Sequence, residues 1–185
     1  MGRYIQPYKI ITSNPNKLAE FKRFGLNIMA EKGRDLPEVN GSPEEVIIHK
    51  ARDAGKGFIV EDTSFDVDGL SVGVNIRWLV DKLLTDKSLL GRKAQWTVLL
   101  GLNTGTEIKI YQGIVNGTIS EPDGDEFGFD PIFIPNGSNQ TLAVMGNNKD
   151  NFSARKMACN NLTNDNPIKI IPLSNVSDWS GDYQH

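Results

Sequence analysis

Two short stretches of this 185-residue chain place polar groups in patterns suited to a polyanion and a hard cation. In Thr12-Ser13-Asn14-Pro15-Asn16-Lys17, an apolar run gives way to small polar residues and then to an Asn-Pro step that opens a helix. The first turn of a helix carries unpaired N–H groups and a partial positive charge, so Ser13, Asn14 and the backbone there would form an anion seat, with Lys17 adding a full charge. The second stretch is Glu61-Asp62-Thr63, directly after the apolar Gly57-Phe58-Ile59-Val60. Mg²⁺ takes oxygen ligands and commonly binds one or two carboxylates together with phosphate oxygens and water. Neighbouring side chains on a strand point to opposite sides, so one acid of the pair is expected to act directly. Two further segments gather polar residues between apolar elements: Leu36-Pro37-Glu38 and the run from Phe127 to Arg155. Each feature alone admits a plainer reading, with Asn14 a helix cap, Lys17 and Lys50 solvated, Glu61-Asp62 a capped turn, and Arg155 a surface charge.

The elements that must position these residues read as alternating strands and helices, followed by hairpins. Lys9 to Ser13 predicts a strand and Asn14-Pro15 a helix start, stopped at Gly25. Ser42 and Glu45 have capping-box spacing, so a second helix starts near Pro43. Gly57 to Val60 predicts a short strand that delivers Glu61 and Asp62 at its carboxyl end, the edge where open α/β sheets place ligands. Ile76, Leu79, Val80, Leu83 and Leu84 recur at the spacing of a helix with one buried face. Residues 94–102 and 107–119 read as strands joined by Asn103-Thr104-Gly105. Residues 132–134 read as a short strand, and 151–162 as the last helix. The expected class is α/β, one domain over 1–185 built on a mixed sheet flanked by helices, with 174–185 as a flexible tail.

Composition narrows the function classes. A net charge of −3 and a pI near 5.4 lack the basic face of a nucleic-acid binder. The single cysteine, Cys159, forms neither an internal disulfide nor a CxxC metal site. Apolar runs fall well short of the roughly 20 residues needed to span a bilayer. No signal-peptide core follows Met1, so the cytoplasm is the expected compartment. Asp66 and Asp68 are expected on the surface, and His49 and His185 carry no message.

Taken in order, the four polar segments resemble the inosine triphosphate pyrophosphatase family, with its T-G-N-x-x-K start, acidic pair after a central strand, F-G-[FWY]-D-P block and S-H-R signature. The resemblance spans roughly residues 8 to 162, and FGFDPIFIP over 127–135 is its longest block. It implies a nucleotide cleft between two lobes of an elongated sheet, a homodimer, and metal-assisted hydrolysis of ITP, dITP or XTP to the monophosphate and pyrophosphate. By the same resemblance Glu38 and Asp62 hold Mg²⁺, with Mn²⁺ as a substitute, and Asp62, with Glu61 beside it, activates water. Thr12, Ser13, Asn14, Lys17, Lys50, Thr63, Arg77 and Lys149 face the triphosphate. Phe127 and Gly128 also contact the substrate, and Phe129, Asp130, Ser153 and Arg155 build the base pocket, Phe129 as a stacking face and Arg155 as a donor to the 6-oxo group that adenine lacks; the plainer reading of Phe129 and Phe133 is that they are core residues.

The chain departs from the pattern at Ser153-Ala154-Arg155, where the histidine of S-H-R is missing, at Ser13 in place of a glycine, and at Val144, where the family often has an acid. Losing one donor predicts relaxed base choice. A related pyrophosphatase with a pyrimidine preference, or a nucleotide-binding module that has lost catalysis, are the competing readings.

Overall fold

A computed structural model of the chain describes residues 8–12, 15–31, 36–73, 76–125 and 128–184. Strand β1 (Tyr8–Ile11) leads into helix α1 (Pro15–Arg23), whose first residue is the predicted proline. The chain leaves α1 through Gly25, at φ 89°, a conformation cheap only for glycine. Strand β2 (Ile28–Glu31) then pairs parallel with β1. It was not legible in the sequence, since four residues are too few to display an alternation. Helix α2 (Pro43–Ala54) opens with the predicted capping box: Glu45 N–H donates to Ser42 Oγ at 3.1 Å, and Ser42 N–H donates to Glu45 Oε1 at 3.0 Å.

Beyond α2 come β3 (Phe58–Val67), β4 (Leu70–Gly73), α3 (Ile76–Thr85), β5 (Lys93–Asn103), β6 (Glu107–Ile119), β7 (Phe133–Pro135), α4 (Ala154–Thr163) and β8 (Lys169–Pro172). The sheet runs β2-β1-β3-β5-β6-β7, with β4 attached to β3 and β8 to β6. β1 is parallel to β2 and β3, and the other pairings are antiparallel, so the expected mixed α/β sheet is what the fold contains.

Helices cover both faces. On one face, Ile47, Ala51 and Ala54 of α2 pack on Val60, Leu99, Ile108 and Ile110. On the other, Ala154, Ala158 and Leu162 of α4 and Phe21 of α1 share a core with Ile59, Phe65, Trp96, Val98, Leu100 and Tyr111. Gly113 of β6 lets α4 approach to backbone contact, because a Cβ there would lie 1.8 Å from the carbonyl oxygen of Ala154.

The final helix starts later than its apolar pattern suggests. Residues Gly146–Phe152 form a 3₁₀ segment, Ser153 is extended, and its Oγ accepts from Lys156 N–H at 3.1 Å, so serine acts as the N-cap of α4. The segment read as a flexible tail returns to the Glu38 loop, where Val39 and Tyr183 form an antiparallel bridge.

Candidate active site

The period of two in β3 organises the site. Ile59, Phe65 and Val67 face the α1/α4 side while Val60 faces α2. Glu61 and Thr63 therefore share the α4 side, with Thr63 Oγ1 donating to Glu61 Oε1 at 2.6 Å, and Asp62 turns toward α2. Two adjacent carboxylates are thus delivered to opposite faces of one strand, as the sequence predicts.

One expectation is corrected here: the pair does not sit at the carboxyl end of its strand. β3 continues to Val67, because Thr63, Phe65 and Val67 suit a pleated surface and residues 59–67 pair with β5. The parallel partner is what stops. Lys9 and Ile10 of β1 lie beside Phe58 and Ile59, so β1 ends at the level where the acids begin and α1 starts next to them.

On the α4 side, Glu61 is 6% exposed and Arg155 4% exposed, and Arg155 Nη2 lies 3.3 Å from Glu61 Oε1. Arg155 Nη1 also pairs with the buried Glu20 of α1. Lys17 Nζ approaches Glu61 Oε1 at 3.6 Å. Burial would push the Glu61 carboxyl up, but Arg155, Lys17 and the hydrogen bonds from Thr63 and Arg155 outweigh it and hold the group well below the usual carboxylate range. Glu61 is thereby held in its anionic form against Arg155 and Lys17.

Across the strand, Asp62 is 7% exposed and its Oδ2 is buried with no hydrogen-bond partner among the described residues. Burial, reinforced by Glu38 and Glu61 against the pull of Lys50 and Lys17, pushes its carboxyl up to about 7. Lys50 Nζ, from α2, donates to Glu38 Oε1 at 3.0 Å and to the backbone carbonyl of Glu61 at 2.9 Å, which ties the Glu38 loop, α2 and β3 together. Glu38 and Asp62 are oxygen donors near one another, and Asp62 has an unclaimed oxygen. Among the described residues no group of three or more His, Cys, Asp or Glu side chains is gathered for a metal. A two-carboxylate seat completed by phosphate and water is the coordination Mg²⁺ commonly takes, so the residues fit that ion.

The expected base pocket needs correction. Phe129 is 7% exposed, stacks on Phe65 at 4.1 Å between ring centroids, and meets Trp96 and Phe133 edge to face. Its ring belongs to the core because aromatic neighbours already occupy it, as they do Phe133. Arg155 Nη1 pairs with Glu20 and Nη2 with Glu61, so the guanidinium is held by carboxylates in the interior, and it is no surface charge. Asp130 pairs with Lys149, which also lies 4.0 Å from Glu20. Lys149 thus faces carboxylates rather than an open anion seat. Ser153 is buried as the cap of α4, and Gly128 is exposed at φ 66°. Thr12 directly follows β1, and Asp66 and Asp68 are exposed as expected. Ser13, Asn14, Phe127 and the side chain of Arg77 lie outside the described residues.

Sequence reasoning missed Glu20. Its only local signal is a carboxylate next to Phe21 at the buried edge of α1, and the cations that answer it lie far along the chain.

Comparison with known proteins agrees with this architecture. A dITP/XTP pyrophosphatase of Korarchaeum cryptofilum is 30% identical over 167 residues, covering 82% of this chain and 91% of that protein. An inosine triphosphate pyrophosphatase of Candida albicans is 36% identical over 148 residues, covering 72% and 70%. The structure of a HAM1 protein from Coxiella burnetii aligns with TM-score 0.69 at 24% identity, over 85% of this chain and 97% of that one, a likeness of fold. The Ham1 protein of Staphylococcus aureus aligns with TM-score 0.66 at 24% identity, over 84% and 96%. The sequence profile of the Ham1 family matches residues 8–165, which include Glu61 and Asp62 of β3, Lys50 and the start of α4. With that match over most of its length, and with the sheet and site just described, this chain belongs to the Ham1 family.

Proposed function

We propose that this chain is a hydrolase of non-canonical purine nucleoside triphosphates, converting ITP, dITP or XTP to the monophosphate and pyrophosphate. The observation that carries the reading is Asp62: a buried carboxylate with an unclaimed oxygen, titrating near neutrality, beside Lys50 and Glu38 in a Ham1 chain. Similarity to proteins named dITP/XTP pyrophosphatase and inosine triphosphate pyrophosphatase supplies the substrate class.

In this reading Asp62 accepts a proton from the water that attacks the α-phosphorus. In the metal-free protein burial pushes this carboxyl up to about 7, which makes it a stronger base than an ordinary aspartate. Glu38 and Asp62 would hold Mg²⁺ or Mn²⁺, which when bound neutralises charge on the phosphate oxygens. Lys50 holds Glu38 in place and supplies positive charge beside Asp62. Lys17, its side chain 29% exposed, is the cation in the first turn of α1, where a phosphate would meet the N–H groups of a helix start. Glu61 retains Arg155 and Lys17 rather than acting on water. A homodimer working in the cytoplasm completes the proposal; among the described residues no helix is long and apolar enough to cross a membrane.

Release of pyrophosphate from ITP, with and without Mg²⁺, tests it against Asp62→Asn. Metal-dependent formation of one pyrophosphate per IMP, lost in the variant, is expected. Silence across ITP, XTP, dUTP, GTP and ATP would leave nucleotide binding without catalysis as the better account.

A further inference from the structure

The family profile ends at residue 165, yet the chain continues and its last residues return to the site. Gln184 N–H donates to the carbonyl of Glu38 at 2.8 Å, and Asn40 N–H donates to the carbonyl of Asp182 at 2.9 Å. Gln184 Nε2 adds a bond to the carbonyl of Val39 at 3.2 Å. The backbone on both sides of Val39 is therefore paired with the chain end, and Val39 itself is 2% exposed.

The strand of contact is anchored on α2. Trp179 packs with Val39 and Val46, sets its ring edge to face with His49 at 5.4 Å, and donates its indole N–H to the carbonyl of Asp182 at 2.7 Å. Glycines make room for the indole: a Cβ at Gly41 would come within 3.0 Å of it and one at Gly181 within 2.9 Å. Arg52 of α2 holds the segment's start by donating to the carbonyl of Ser177 at 3.1 Å. Lys50, the residue after His49 on the same helix, holds the Glu38 side chain, so the loop is gripped by its carboxylate from α2 and by its backbone from residues 182–184.

We propose that residues 177–184 form a strap that positions Glu38 for a divalent cation, with Trp179 as its anchor and Gln184 as its latch. The inference rests on the two-carboxylate seat of the proposed function. Trp179 and Gln184 are positioning residues: they touch the loop, not the reacting atoms. A carboxylate on an unsecured loop must be ordered when the ion binds, which weakens binding.

The test is Mn²⁺ binding to the full chain, read from the free-ion electron paramagnetic resonance signal, for wild type, Trp179→Ala, Trp179→Phe and Gln184→Pro. Proline at 184 removes the N–H that bonds Glu38 and replaces the side chain that bonds Val39. Expected is a three- to ten-fold rise in the Mn²⁺ dissociation constant for Trp179→Ala and Gln184→Pro, with Trp179→Phe closer to wild type. The Mg²⁺ concentration for half-maximal ITP turnover rises in parallel, while kcat at saturating Mg²⁺ stays within about two-fold. Unchanged Mn²⁺ affinity in both disruptive variants overturns the strap, and a wild type that binds no Mn²⁺ overturns it together with the metal seat. If Trp179→Ala does not fold, Gln184→Pro decides alone. Wild type that binds Mn²⁺ but leaves ITP intact refutes the proposed reaction, and the affinity comparison still decides the strap.

Discussion

Glu61 and Asp62 are adjacent in β3 and about equally buried, yet they sit in opposite electrostatic environments. Glu61 lies against Arg155, Lys17 and Thr63, and its carboxyl is held well below the usual range. Asp62, one residue on and facing the other way, has an oxygen with no partner among the described residues and a carboxyl pushed up to about 7 by burial. A single strand step thus separates a fixed anion that organises cations from a titrating one suited to proton transfer.

Asp62 is expected to lower the stability of the metal-free protein at alkaline pH. Its folded value near 7 lies above the reference value of 3.8. A raised value makes its contribution complete below about pH 3.8 and lost as pH rises through about 7. Asp62→Asn cannot ionise, so in EDTA at pH 8 it should be more stable than wild type by on the order of 2 to 4 kcal/mol, with the gap closing toward pH 4. Urea unfolding at both pH values measures this. Equal gaps at the two would contradict the raised value.

Arg155→Met should destabilise the fold by about 3 to 5 kcal/mol at pH 7, because it leaves Glu20 and Glu61 buried without their cation. Glu61 has a depressed folded value, so in wild type its contribution is present above 4.5 and lost as pH falls below it. The difference between variant and wild type should therefore shrink in acid. Denaturant midpoints from pH 7 down to about pH 3 follow the trend, and a cost below about 1 kcal/mol at pH 7 would mean that the network is not closed as described.

Gly113→Ala probes the approach of α4 to the sheet. The added Cβ would sit 1.8 Å from the carbonyl oxygen of Ala154, so backbone rather than a flexible side chain must move. A loss of about 3 kcal/mol or more is expected, with a fall in turnover because Arg155 shifts with the start of α4. A thermal midpoint within two degrees of wild type would show that α4 has slack at this contact.

Base discrimination should be weak. Arg155 has its Nη groups committed to Glu20 and Glu61, and Ala154, fully buried, supplies no imidazole. One missing polar contact amounts to on the order of 1 to 3 kcal/mol of discrimination. Values of kcat/KM for ITP, XTP, dUTP, GTP and ATP should accordingly lie closer together than several thousandfold. A preference for ITP of that size would mean that a further donor reads the base, such as Arg155 Nε, which has no partner among the described residues.

Sequence alone determined the features governed by near neighbours. The capping box at Ser42 and Glu45, the stop at Gly25 and the helix over Ile76–Thr85 all follow from local hydrogen bonding and periodicity, and the hairpin of β5 and β6 from strand propensity. The same holds for the opposed directions of Glu61 and Asp62, which need only the pleat of a strand. The tertiary structure alone decided the partners. Arg155 meets Glu20 across 135 positions, Phe129 is taken by the core, and the chain end pairs with the Glu38 loop. Charge energies depend on distance and burial, and both are set by the packing of α1, α4 and β3 against one another, which no local pattern in the chain records.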